Sequence, residues 1–331
     1  FVVAQRGTSF SNVTSSQFCL DRFSVDVGGG GAFNVTQDSS APEGFEKSLK
    51  LEVNTADSSI AAGDAYRITQ AIEGQNIAQV DLGASTAKAM ALSFYVKSSV
   101  TGTYGIGLAN SAETENFVAE YTINSANTWE KKTINIPVRT SGTWLTTNGI
   151  GIGVRFDLGS GTNYNGTAGQ WQTTSSKVYR TSSCVNLIAT GSATWFLTGV
   201  QLEVGQNPTS FEHEPFERTL AKCQRYTFLV DNAPLKGTAS EAALAARLGL
   251  LYPVEMRATP TVTITQTGGT SHFQVFDGSI SKTFQSTQSS YNTNKLCEFD
   301  FVTESGLTVG NGCTTYQDSN RSSEFKFDAE L

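Results

Sequence analysis

The sequence predicts a mainly β protein, and three observations support this fold class. Charged residues make up 16% of the 331 residues, against about 25% in an average globular protein. Gly, Ser and Thr are abundant while Lys and Glu are scarce, which favours short strands and polar turns over long exposed helices. Apolar and polar residues also alternate in several segments. We therefore expect a jelly-roll-like β-sandwich followed by a smaller β domain with one or two short helices.

Predicted strands fill most of the first two-thirds of the chain. The clearest is Ile150–Phe156, in which Ile, Ile, Val and Phe alternate with Gly, Gly and Arg. Turn residues separate such segments at the spacing typical of sandwiches and barrels. The other strong segments are 89–97, 104–108, 133–138 and 195–204. Together they predict a sandwich domain over residues 1–215.

The character of the sequence changes after Pro208 and Pro215. Leu220 and Cys223 lie at helical spacing and predict a short helix over 216–226. An Ala-rich stretch that ends at Gly249 predicts a second helix over 239–248. Strand patterns return afterwards, at 260–266, 272–276, 295–302 and 323–330. We expect these elements to form a C-terminal β domain over 216–331.

Charge and hydropathy exclude two classes of partner. The net charge is −7, and no cluster of Lys and Arg is present that would offset nucleic-acid phosphates. No run of 18 apolar residues occurs, so the sequence predicts no membrane insertion. The first residues show neither an initiator Met nor a signal-peptide pattern. We expect that a leader was removed or that the numbering starts inside a longer product.

The five cysteines are odd in number and widely spaced. None of them forms a Cys-x-x-Cys pair, which argues against a zinc ribbon. We expect reduced, buried thiols, consistent with assembly in a reducing cytoplasm. A Cys297–Cys313 bridge, formed after release from the cell, is the alternative.

The sequence offers little for nucleophilic catalysis. His213 and His272 are the only histidines, and no Gly-x-Ser-x-Gly pattern is present. A glycosidase needs only two carboxylates at a fixed separation, which a sequence does not exclude. The sequence contains no repeat of 20–50 residues, which argues against a β-helix or another solenoid. We expect a protein that is not an enzyme.

A Gly-rich loop offers oxygen ligands that Ca²⁺ prefers. These are Asp157, Asn163 and Asn165, whose spacing does not match an EF-hand loop. The alternative interpretation is a plain polar loop. The only cofactor hypothesis is therefore a structural calcium ion.

Glycan contact is the other hypothesis for a site. A pyranose ring is bound through an exposed aromatic face with polar groups around it. Trp144 and Trp171 lie among Gly, Thr and Gln, as loop residues do, and Tyr164 and Tyr179 lie near Trp171 in the sequence. Trp195 precedes an apolar strand and is predicted to be in the core. We expect Trp144, Trp171, Tyr164 and Tyr179 to provide the contact surface.

An ordered series of segments resembles a known family. It includes Val3–Phe10, Arg67–Gly74 and Leu92–Lys97, and it closes with Gln201-Leu-Glu-Val-Gly205, Phe211-Glu-His213 and Cys223-Gln-Arg-Tyr226. This series resembles a module of tail-fibre and other virion structural proteins of tailed bacteriophages, which is similar to jelly-roll carbohydrate-binding modules. The resemblance covers roughly residues 1–228.

The resemblance implies a tail fibre or surface fibre that is made in a bacterial host cytoplasm and located on the virion. It implies a homotrimer, other virion proteins as partners and a host cell-surface glycan as a ligand. It also favours the structural calcium ion slightly. A capsid decoration or connector protein with a purely structural role is the first alternative, and a polysaccharide depolymerase is the second.

Overall fold

The computed structural model divides the chain into two compact units, unit 1 over Phe1–Phe216 and unit 2 over Glu217–Glu330. The structure describes residues 1–231, 235–239, 245–267, 273–303, 306–317 and 322–331. His272, one of the two histidines, lies outside these residues.

Unit 1 is built from strands connected by polar loops and a few 3₁₀ turns. Its strands are β1 (Ser9–Val13), β2 (Gln17–Phe18), β3 (Ser24–Val27), β4 (Ala32–Asp38), β5 (Ser48–Thr55), β6 (Tyr66–Glu73), β7 (Met90–Ser98), β8 (Gly102–Ala109), β9 (Glu115–Ile123), β10 (Glu130–Ile136), β11 (Ile150–Asp157), β12 (Trp171–Thr173) and β13 (Thr194–Val204). Most of these strands coincide with segments of alternating hydropathy, because alternation places one face of each strand in the core.

The strands of unit 1 form two antiparallel sheets. Sheet A has the order β1-β4-β5-β13-β7-β10, and sheet B has the order β12-β9-β8-β11-β6-β3-β2. Neighbours in space are often distant in sequence, as in the pairing of β13 with both β5 and β7. The predicted fold class, mainly β with a jelly-roll-like sandwich, is confirmed.

The core of unit 1 lies between the two sheets. Phe94 of sheet A meets Phe156 of sheet B edge to face, with ring centroids 5.2 Å apart. Trp195 is fully buried beside Phe156, at 5.7 Å, as the sequence predicts for a core tryptophan. Burial of such large aromatic side chains supplies a major share of the stability of a sandwich.

The outer face of sheet B, which points away from this core, is partly covered by the loop that follows β12. Tyr179 lies over Gly105 and Gly107 of β8. A Cβ atom added at Gly107 would lie 2.7 Å from the Tyr179 Cα, and one added at Gly105 would lie 2.7 Å from the Tyr179 carbonyl oxygen. The glycines of β8 therefore provide the space that this loop occupies.

Unit 2 begins with a helix and continues with strands. Its elements are α1 (Phe216–Gln224), β14 (Thr227–Asp231), β15 (Lys236–Ala239), β16 (Ala245–Leu251), β17 (Thr261–Thr267), β18 (Phe273–Phe276), β19 (Ser281–Asn292), β20 (Leu296–Thr303), β21 (Gly312–Gln317) and β22 (Ser322–Asp328). Strands β14, β22 and β17 form a small sheet, and β15-β16-β20-β19-β18-β21 close into a barrel. Phe299 and Phe325 are buried in the core of this unit, with ring centroids 5.2 Å apart.

The predicted helix over 239–248 is wrong for the part that the structure describes. Ala239 ends β15, and residues 245–248 belong to β16; residues 240–244 lie outside the described residues. β16 pairs with β20 from Ala245 to Leu251, and Ala246 and Leu248 are buried while Arg247 between them is exposed. Strand pairing in the barrel thus overrides the helical propensity of Ala and Leu.

All five cysteines are free and buried, so Cys297 and Cys313 form no bridge in this structure. Burial raises the pKa of the Cys297 thiol to about 11 and the pKa of the Cys19 thiol to about 12. These thiols are therefore protonated near neutral pH and act as small apolar side chains. In the described part of the chain, no helix is both long enough and apolar enough to cross a membrane.

Candidate functional site

Two of the predicted glycan-contact residues lie together at one edge of the sandwich. Trp171 begins β12, the edge strand of sheet B, and Trp144 lies in the loop between β10 and β11. Their rings meet edge to face with centroids 5.4 Å apart, and both side chains are half-buried. Trp171 also packs against the core residue Phe117 of β9, at 5.5 Å. The pair covers the edge of the core and leaves aromatic surface exposed.

Hydrogen bonds fix the orientation of both indoles. The Trp171 Nε1–H donates to the Pro137 carbonyl at 2.7 Å. The Trp144 Nε1–H donates to the Ser141 carbonyl at 3.1 Å. Because each indole N–H has an intramolecular acceptor, the exposed parts of the rings offer apolar contact rather than hydrogen bonds.

An ion pair between the half-buried Arg139 and the buried Glu115 holds the loop that carries Trp144. The Arg139 Nε donates to the Glu115 Oε2 at 2.6 Å, and Arg139 Nη2 bonds both Glu115 and, at 2.7 Å, the Thr173 hydroxyl. Gly142 has a φ of +88°, and a Cβ atom there would lie 2.8 Å from the Glu115 Cδ. The loop therefore needs a glycine at this position, both for its left-handed backbone and for its close approach to Glu115.

We call the surface formed by Val138, Trp144, Leu145 and Trp171 the tryptophan patch. Val138 is 49% exposed and Leu145 is 39% exposed. Gln172 and Thr173 follow Trp171 and are hydrogen-bonded within the chain, Gln172 to the Thr167 backbone and Thr173 to Arg139 and Glu115. Aromatic and apolar surface with a polar border suits the apolar face of a sugar ring.

The other two predicted contact residues form a separate pair. Tyr164 stacks on Tyr179 with centroids 4.8 Å apart, and its hydroxyl donates to the Gly63 carbonyl at 3.0 Å. Tyr164 is half-buried, whereas Tyr179 is fully buried and bonds the Ser160 hydroxyl at 3.0 Å. Tyr179 is therefore not available for contact with a glycan in solvent. Its pKa is raised, chiefly by burial.

Asp157, the acidic residue of the calcium hypothesis, is also buried. Its carboxylate accepts the Ser160 amide at 2.9 Å and the Gly159 amide at 3.3 Å, and Arg180 Nε lies 3.6 Å away. Burial raises the pKa of Asp157 to about 6, against the opposing effect of Arg180.

The two asparagines of the calcium hypothesis lie on the polar loop after Asp157. Asn163 is exposed in a 3₁₀ turn over Thr162–Tyr164, and its backbone amide donates to the Ala62 carbonyl at 3.0 Å. Asn165 forms an isolated β-bridge with Arg180. No group of three or more His, Cys, Asp or Glu side chains that suits a metal ion occurs in the described residues. The calcium ion at this loop therefore stays a prediction.

The outer face of sheet B carries a charged layer that sequence reasoning missed. Arg67 of β6 and Arg155 of β11 are 9% and 6% exposed, respectively. Arg67 Nε donates to Asp26 at 2.7 Å, and Arg155 Nη2 donates to Glu113 at 2.6 Å. The guanidinium carbon of Arg67 also lies 4.8 Å from the centroid of the Tyr179 ring.

A signal for this layer was present in the sequence. In Ile150–Phe156 the apolar positions alternate with Gly, Gly and Arg, so the strand pattern itself places Arg155 opposite the core. The pattern does not show which segment covers Arg155, because the loop that buries it follows β12. Periodicity gives the face of a side chain but not what a distant segment lays over it.

The hairpin between β8 and β9 contacts both the tryptophan patch and the charged layer. The Asn110 side chain donates to the carbonyl of Thr143, next to Trp144, at 3.1 Å. Three residues later, Glu113 accepts the hydrogen bond from Arg155. The two candidate surfaces are thus connected through one short turn.

Comparison with solved structures returns remote likenesses. The chain is similar to the enzymatically active domain of tailspike protein 4 from bacteriophage CBA120, at 14% identity and a TM-score of 0.33, over 55% of this chain and 19% of that one. It is also similar to a family 11 carbohydrate-binding module from Clostridium thermocellum in complex with a β-1,3-1,4-mixed-linked tetrasaccharide, at 10% identity and a TM-score of 0.32, over 61% of this chain and 97% of that one.

A third likeness extends over more of the chain at a lower score. Discoidin II from Dictyostelium discoideum is 11% identical with a TM-score of 0.19, over 88% of this chain and 87% of that one. The chain spans about a fifth of the length of the tailspike protein it matches. No protein-family model and no curated protein sequence matches the chain.

Proposed function

We propose that this protein binds a carbohydrate without cleaving it, and that unit 1 does so at the tryptophan patch. The observation that carries the proposal is the edge-to-face pair of Trp144 and Trp171, half-exposed at the border of sheet B. The pair is fixed by two indole hydrogen bonds and by the Arg139–Glu115 ion pair. A rigid aromatic surface loses little conformational entropy when it binds a sugar ring.

Loss of binding in tryptophan variants tests the proposal. The wild-type protein is first screened on a glycan array, and the affinity for the best ligand is then measured by calorimetry for W144A and W171A. We expect each variant to lose about thirtyfold in affinity, which corresponds to about 2 kcal/mol for an aromatic group at the centre of a binding surface.

W129A is the matched control. Trp129 is also half-buried, but it packs against Phe196 of sheet A with centroids 6.0 Å apart. Trp171 supports the core, so each variant is assayed well below its own melting temperature, and W144F tests whether a ring restores binding. Unchanged affinity in W144A and W171A, or an equal loss in W129A, contradicts the proposal.

We further propose that the setting of this activity is the surface of a tailed phage, as part of a tail fibre. The support is the series of sequence segments that ends at Cys223–Tyr226 and resembles the virion module. An antibody against the chain should label the tail of assembled particles. Label on the capsid alone favours the decoration or connector role, and release of oligosaccharide from host polysaccharide favours the depolymerase.

A further inference from the structure

Arg67 and Arg155 are neighbours on the outer face of sheet B. β6 and β11 pair directly, with Arg155 opposite Thr69 and Arg67 opposite Asp157. The two arginines are therefore diagonal neighbours, a separation that long side chains bridge easily. Both are more than nine-tenths buried. Two adjacent guanidinium groups are thus held in a region with little water.

Carboxylates balance only part of this charge. Asp26 accepts from Arg67 Nε at 2.7 Å and from the Thr69 hydroxyl at 2.8 Å. Glu113 accepts from Arg155 Nη2 at 2.6 Å and lies 3.0 Å from Lys177 Nζ. Three cationic side chains thus contact two carboxylates, which leaves one positive charge without a partner anion in the cluster.

The donors that remain point to a missing acceptor. Arg67 Nη1, Arg155 Nε and Arg155 Nη1 are buried and have no hydrogen-bond partner among the described residues. Buried charged donors without acceptors are costly, so such groups are normally paired. Burial, and then the charge of Arg67, lower the pKa of Arg155. Asp26 and Tyr179 each raise the pKa of both arginines, so the two guanidinium groups share these neighbours.

We propose that Arg67 and Arg155 bind the carboxylate of an acidic sugar, so that the glycan recognised by this protein contains uronic acid or a related carboxyl-bearing residue. The proposal rests on the proposed function, because it specifies the class of glycan. A carboxylate is a planar monoanion that matches the guanidinium fork and the single unbalanced charge.

The border of this site reaches solvent beside the tryptophan patch. The side chains of Lys177 and Glu113 are 39% and 26% exposed, whereas those of Arg67 and Arg155 beneath them are 10% and 7% exposed. Glu113 lies in the hairpin that also contacts the loop of Trp144 through Asn110. A carboxylate would approach from this exposed side, next to Lys177, while the rest of the glycan lies toward the patch.

Affinity for a charged glycan and its neutral counterpart tests the proposal. Oligogalacturonate and its methyl ester share one backbone and differ in the carboxylate. We expect the wild-type protein to prefer the acid by about tenfold, as for a charge-assisted hydrogen bond, and R155Q to lose this preference. R247Q is the matched control, because Arg247 pairs with Asp300 in unit 2 with its side chain 59% exposed.

An NMR titration keeps the test valid if R155Q does not fold. In the wild-type protein, galacturonate should shift the Nε–H resonances of Arg67 and Arg155 but not that of Arg247. Acetate should need at least about tenfold higher concentration to produce the same shifts. Absence of these shifts overturns the inference, and an equal response to acetate overturns the assignment to a sugar. If W144A and W171A retain binding while galacturonate shifts the arginine resonances, the proposal for the tryptophan patch is contradicted and the carboxylate site is supported.

Discussion

Burial governs the ionisation of Asp157 at the end of β11. The carboxylate is inaccessible to solvent and sits beside Arg180, two backbone amides and the Ser160 hydroxyl. Desolvation outweighs these favourable neighbours and raises its pKa to about 6 from an ordinary value of 3.8. The native state therefore binds a proton more tightly at this position than the unfolded chain does.

This shift predicts a pH dependence of stability. Between about pH 4 and pH 6 the native state retains the proton that the unfolded chain has already lost, so the free energy of unfolding falls as the pH rises. Asp157 contributes about 3 kcal/mol of stability below this pH range, and this contribution is lost once the pH exceeds the folded pKa. Urea denaturation of the wild-type protein and of D157N at pH 4 and at pH 6.5 measures it.

The comparison between the two proteins isolates Asp157 from the other carboxylates. D157N should be the less stable protein at pH 4, because the amide disrupts contacts that the acid makes. The gap should narrow or reverse at pH 6.5, when wild-type Asp157 is ionised. A gap that stays constant between the two pH values would contradict the raised pKa.

At the scale of single residues, sequence reasoning located part of the candidate site. Trp144 and Trp171 were selected for their polar neighbours in sequence, and the structure brings their rings together. Tyr179, a predicted glycan contact, and Asp157, a predicted calcium ligand, are both buried. A polar sequence environment does not distinguish an exposed loop from one folded back over a sheet, since the contacts that bury it come from β8 and β11.

Among the elements, β8 depends on glycine for a specific packing reason. Gly105 and Gly107 face away from the core, and the segment with Tyr179 and Arg180 lies directly on them. A Cβ atom at position 107 would lie 2.7 Å from the Tyr179 Cα, which is too close for any side-chain rearrangement to relieve. The position of the covering segment, and with it the cover over Arg155, therefore depends on these two residues.

We accordingly predict that G107A destabilises unit 1. Overpacking of this kind costs about 1–3 kcal/mol in the free energy of unfolding, and urea denaturation measures it. G249A in β16 is the control, because an added Cβ there meets no atom within 4 Å. G249A should be neutral or slightly stabilising. Equal stability of G107A and the wild-type protein would show that the covering segment does not rest on β8 as described.

Strands were easier to predict than the one Ala-rich segment. β7, β8 and β11 fall on predicted segments because their alternation reports one buried face. β16 also alternates, with Ala246 and Leu248 inward and Arg247 outward, but its residues have high helical propensity. Pairing with β15 and β20 decides its conformation, and these partners are about 10 and 50 residues away in sequence.

At the scale of the whole molecule, each unit has its own hydrophobic core. The core cluster of unit 1 runs from Val13 to Leu197, and that of unit 2 runs from Val230 to Ala329. Local patterns of alternating hydropathy predict strands in both units. They do not predict the strand order of the sandwich sheets or the closure of the barrel, because both depend on pairing between strands that are distant in sequence.

The proposed fibre role predicts a trimer. This prediction rests on the sequence resemblance, which implies a homotrimer. Light scattering on the purified protein should give three times the chain mass of 35.4 kDa. A species of 35.4 kDa would refute the trimer.

Closure of the barrel in unit 2 restricts how copies of this chain can assemble. Each of the six barrel strands has a neighbouring strand on both sides, so the order of strands closes on itself and leaves no edge strand in the described part of the barrel. In unit 1, β12 at one sheet edge is only three residues long, and β10 at another carries the sequence Glu-Lys-Lys. Copies of this chain that meet along the paired parts of the barrel would therefore make contact through side chains and not by adding a strand to the barrel.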